Sequence, residues 1–118
     1  MKKETLDFVT EKTHDLMNAS SCCREAKAAA QAWLDAVGTE NEQTETAKYI
    51  KELEEDILPI DELIAFARSE RGAGFFGADG AAKLAARSEA RRAAGEKYCD
   101  CPACAAAAAI LGKKDEMV

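Results

Sequence analysis

The chain has 118 residues, enough for a single helical domain spanning 1–118, and 47% of them are hydrophobic. Much of that fraction is alanine, so the expected core is thin and closely packed. A formal net charge of −6 argues against nucleic acid and anionic membranes as partners, and leaves a protein partner and the oligomeric state open.

No run of about 18 apolar residues occurs, so no membrane-spanning helix is expected. Lys2 and Lys3 are not followed by an apolar stretch, which does not read as a secretory signal. The expected location is therefore cytoplasmic. Five cysteines in a reducing compartment read as metal ligands or redox thiols rather than as a disulfide framework, and the odd count fits such a framework poorly.

Apolar groups recur at Leu6, Val9, Thr13 and Leu16, then at Ala19, Cys23, Ala26, Ala30, Trp33 and Val37. This three-four spacing predicts one long helix from about Glu4 to Val37, ended by Gly38. Asn18-Ala19-Ser20-Ser21 holds residues that favour caps over helix interiors, so a break there is the alternative. A second stripe runs through Ala47, Ile50, Leu53, Ile57, Ile60, Ile64 and Ala67. Pro59 interrupts it, so the helix either bends at Leu58 or restarts with Pro59 near its first turn. Gly72 to Gly77 reads as a glycine-rich turn whose Phe75 and Phe76 plug one end of the core. Asp79 is expected to cap a third helix reaching about Ala94, with Gly95 as its stop.

The fourth helix carries the densest chemistry. Cys99-Asp100-Cys101-Pro102-Ala103-Cys104 places three thiols within six residues, ahead of an alanine run. Proline suits the first helical position, and alanine has the best intrinsic helix propensity. Cys101 is thus the expected N-cap and Cys104 the third helical residue. Cys99 can fold back toward both. Sulfurs at the positive end of a helix meet unpaired N–H groups that favour thiolates. No alternating strand pattern appears. The expected fold is all-α, most simply an antiparallel four-helix bundle with long first and second helices and two shorter alanine-rich ones.

Cys22 and Cys23 form a second cluster, with Cys23 on the apolar stripe and Cys22 beside it. Convergence of both clusters would make Cys22, Cys23, Cys99, Cys101 and Cys104 candidate ligands for zinc or an iron–sulfur cluster, and the spacing leaves the choice between them open. One alternative is a thiol–disulfide oxidoreductase in which Cys101 attacks and Cys104 resolves. A non-catalytic interaction bundle is another. The only histidine, His14, reads as a surface residue, and no general acid–base pair stands out. Ser20-Ser21-Cys22-Cys23 and the 99–104 segment resemble a small family of uncharacterised bacterial proteins, often from anaerobes. Some of these carry a label linking them to the ninety-kilodalton heat-shock chaperone. The resemblance implies a bacterial cytosolic setting with reduced thiols, and no assigned activity.

Overall fold

A computed structural model describes Met1–Met117. Among these residues the chain forms eight helices and no strand: α1 (Lys3–Asn18), α2 (Arg24–Ala36), α3 (Glu42–Asp56), α4 (Ile60–Ala67), α5 (Glu70–Phe76), α6 (Ala78–Ala93), α7 (Pro102–Leu111) and α8 (Lys114–Met117). The all-α expectation holds. No helix is long and apolar enough to cross a membrane among the described residues. The helices group into two compact units. One comprises Met1–Ile57 with the chain from Asp100 onward, and the other Leu58–Cys99.

The expected long first helix is instead α1 and α2. The stripe of Val9, Thr13, Leu16, Ala26, Ala30 and Trp33 is buried as its spacing requires. The backbone nevertheless leaves the helix at Ala19, which is extended at ψ 129°, and re-enters after Cys23. Cap-forming residues at Asn18, Ser20 and Ser21 compete locally with helical hydrogen bonds, and the seven-residue step from Ala19 to Ala26 hides the interruption from a periodicity search. The second long helix is likewise two. It stops at Asp56 and restarts at Ile60 with Pro59 at its N-cap, because proline cannot donate an interior hydrogen bond.

In the first unit α1 packs against α7 and α2, and α3 packs against α2 and α7. Its interior is apolar around Val9, Leu16, Ala30, Leu53 and Ile110, with one polar seam. The Trp33 indole N–H donates to Thr46 Oγ1 at 2.9 Å, and Thr13 Oγ1 shares a 2.9 Å hydrogen bond with the Tyr49 hydroxyl. The Trp33 and Tyr49 rings stack with centroids 5.5 Å apart. Burial pushes the Tyr49 phenol up to about 12, so it stays a neutral partner for Thr13.

In the second unit α6 packs on α4 and α5. The expected glycine-rich turn is mostly helix α5, opened by Ser69, whose Oγ accepts from the Gly72 N–H at 3.1 Å and donates to the Phe66 carbonyl at 2.6 Å. Phe75 and Phe76 do not plug a core. They are 77% and 41% exposed and meet Phe66 edge-on at 6.4 and 6.0 Å. α6 begins at Ala78 with Gly77 at its N-cap, and Asp79 sits in its first turn. Gly72 is buried so closely that an added Cβ would lie 2.0 Å from the Phe66 carbonyl oxygen. Gly72→Ala should therefore destabilise the protein by about 2–3 kcal/mol, read as a lower urea midpoint. An unchanged midpoint would show that α5 shifts without cost.

Where this unit begins and ends its chain segments are joined. The Cys99 N–H donates to the Leu58 carbonyl at 2.9 Å, and the Ile60 N–H to the Lys97 carbonyl at 2.8 Å. Together with an isolated antiparallel bridge between Pro59 and Tyr98, these bonds fix the backbone that delivers Cys99.

Candidate metal centre

α7 starts as its sequence predicts. Cys101 is the N-cap with ψ 158°, Pro102 occupies the first turn, and Cys101 Sγ accepts the Cys104 N–H at 3.3 Å. Sulfur replaces the oxygen of an ordinary cap, so one orphan N–H of the helix terminus is directed at a thiol. Asp100 is an exposed loop acid. Along the continuous segment 99–104 the Cys99, Cys101 and Cys104 sulfurs lie within 4.8 Å of one another, each half-buried. Three thiols this close can hold one metal ion with little rearrangement, since Zn–S bonds of about 2.3 Å in a tetrahedron bring sulfurs to roughly 3.8 Å.

The other two cysteines lie in the break between α1 and α2 rather than on a helix face. Cys23 is exposed and caps α2, its Sγ accepting the Ala26 N–H at 3.4 Å. Cys22 is half-buried, and its Sγ reaches the Cys23 carbonyl at 3.5 Å. The preceding residue, Ser21, accepts the Ala103 N–H on its Oγ at 3.3 Å. A serine outside α7 thereby satisfies a second amide of that helix's first turn.

These contacts bring two helix N-termini together inside the first unit. Between them lies a cavity of about 70 Å³ whose wall includes Cys22, Cys23 and Cys104, with Leu16, Leu53 and Asp56. Of the five cysteines, Cys22, Cys23 and Cys104 line this cavity, and Cys22 and Cys23 stand outside the 4.8 Å trio of Cys99, Cys101 and Cys104. Burial raises the Cys22 thiol above its ordinary range, and the neighbouring Cys23 adds to the rise. Burial also raises Cys23. The Ala26 amide opposes that shift, and the negative charge of Asp56 reinforces it. Both remain protonated at neutral pH, so a metal bound there must displace protons.

Ser21 and Asp56 were not marked by sequence pattern. A cap-forming residue ahead of Cys22 is the only local signal for Ser21, and it reads as a helix breaker. Asp56 stands at the C-terminal end of α3, and its carboxylate, one turn from Glu52, pushes Glu52 up. His14 is exposed, in keeping with its reading as a surface residue. In comparisons with protein families, curated proteins and solved structures, nothing matches this chain.

Proposed function

We propose that this is a metal–thiolate protein whose centre binds one zinc ion through Cys99, Cys101 and Cys104. The observation that carries the reading is the approach of three sulfurs within 4.8 Å at the start of a helix. A four-iron cluster seats each cysteine on a different iron and spreads the sulfurs wider than ligands sharing one ion, so the close trio favours a mononuclear site. The role is structural: ligation holds Cys101 at its cap and fixes the first turn of α7. The four helices α1, α2, α3 and α7 would then act as an antiparallel bundle carrying the centre, in a reducing, cytoplasmic setting where the thiols persist.

The test is elemental analysis after anaerobic purification, with zinc titration of the apo-protein. One equivalent of zinc is expected, falling below about a tenth in Cys101→Ser, since removing one of three thiolates leaves too few ligands. A colourless protein with no metal and no zinc affinity would overturn the reading. Reversible oxidation of two thiols with turnover of a disulfide substrate would then move the assignment to the Cys101–Cys104 dithiol, whose sulfurs are close and whose first member sits at a helix N-terminus.

A further inference from the structure

Three thiolates leave the tetrahedral position of zinc one ligand short. The first unit contains a candidate donor across the cavity from α7. We propose that Cys22, and not Cys23, supplies the fourth thiolate, closing the site as a four-sulfur centre; this rests on the zinc reading above.

Two observations separate the two neighbours, and the cavity between the helix N-termini gives Cys22 room to move. Ser21 is hydrogen-bonded to the Ala103 amide, so the residue next in sequence, Cys22, is tethered one peptide away from the turn that carries Cys101 and Cys104. Cys22, Cys23 and Cys104 all line the cavity, and its 70 Å³ exceeds the roughly 10–15 Å³ that a single water needs. The Cys22 side chain therefore has room to swing toward α7 without displacing Leu16 or Leu53. Cys22 also has little to give up, since its thiol donates to the Cys23 carbonyl at a long 3.5 Å.

Cys23 is committed elsewhere. Its sulfur caps α2 by accepting the Ala26 amide N–H at 3.4 Å. Drawing Cys23 into the centre would uncap α2. Losing a cap costs about 1 kcal/mol, a cost that recruitment of Cys22 avoids. The break between α1 and α2 thus acquires a purpose: a continuous helix could not turn Cys22 toward α7 while leaving Cys23 at a cap.

Cobalt(II) substitution counts thiolates directly through the sulfur-to-metal charge-transfer band. In the full-length protein, Cys22→Ser should lower the intensity of that band per bound cobalt by about a quarter, the change from four thiolates to three. The visible ligand-field bands should shift with it. Cys23→Ser should leave both unchanged, and circular dichroism should show both variants folded. A loss confined to Cys23→Ser, or no loss in either variant, would overturn the assignment while leaving the three-cysteine centre standing. No charge-transfer band in the unsubstituted protein would instead refute the centre itself.

Discussion

Zinc added to the apo-protein should raise its melting temperature by on the order of 15 °C, and a chelator should reverse the gain. A ligand that binds only the folded state at about 1,000 times its Kd contributes about 4 kcal/mol. For a domain near 100 residues, 1 kcal/mol is worth about 4–8 °C at the lower end of the size range and less for longer chains. The structural reason for a large effect lies at α7. Its N-terminus is held by sulfur and serine caps, and its alanine-rich body presents little apolar surface per residue. An ion bound to Cys99, Cys101 and Cys104 would restrain three residues around that terminus at once. The same shift should be absent in Cys104→Ser and should shrink as pH falls from 8 to 6, because thiols must lose protons before they ligate. Differential scanning calorimetry with and without zinc checks this. A melt that moves by less than about 2 °C at saturation would make the metal incidental to the fold.

What could be read in advance divides along the line between local and distant contacts. The cap, first turn and body of α7 follow from Cys101, Pro102 and the alanine run because each acts on its immediate neighbours. The buried stripe of Val9, Leu16, Ala30 and Trp33 follows from spacing alone. Spacing failed where polar groups were buried. The second stripe assigns Ala47 to the core, yet the structure buries Thr46 and Tyr49 and exposes Ala47, because hydroxyls pair with Trp33 and Thr13 from other helices. The Ser21 contact to Ala103 spans 82 positions and leaves no periodic trace. Phe75 and Phe76 look like core residues by composition, yet they end α5 exposed, meeting Phe66 and each other edge-on. At the candidate centre, the trio was legible because its members are adjacent in sequence. The contrast between Cys22 and Cys23 was not, since it depends on the Ser21 contact to Ala103 and on which sulfur caps α2.

Trp33→Ala should be the most damaging single substitution outside the cysteines, lowering unfolding stability by about 4–8 kcal/mol in urea. Truncating a buried tryptophan costs about 3–5 kcal/mol through lost transfer energy and the cavity left behind. Trp33 is fully buried, and its ring stacks on Tyr49. The substitution also strips the donor from Thr46 Oγ1, which is 1% exposed, and an orphaned buried hydroxyl adds about 1–3 kcal/mol. Trp33→Phe separates the two effects, keeping most of the ring while removing the N–H. Pairing it with Thr46→Val should recover part of its loss, since two apolar partners strand no polar group. A Trp33→Ala cost below about 2 kcal/mol would mean that the seam repacks freely. The consequence reaches the centre through α2. Trp33 anchors the helix whose N-terminus carries Cys23 and adjoins Cys22. Because zinc binds only the folded arrangement of these elements, saturating metal should return about 4 kcal/mol to Trp33→Ala by mass action. A variant marginal as apo-protein should therefore refold on zinc addition. Failure to do so, with zinc still stabilising the unsubstituted protein, would place the damage in the packing that brings the two helix N-termini together.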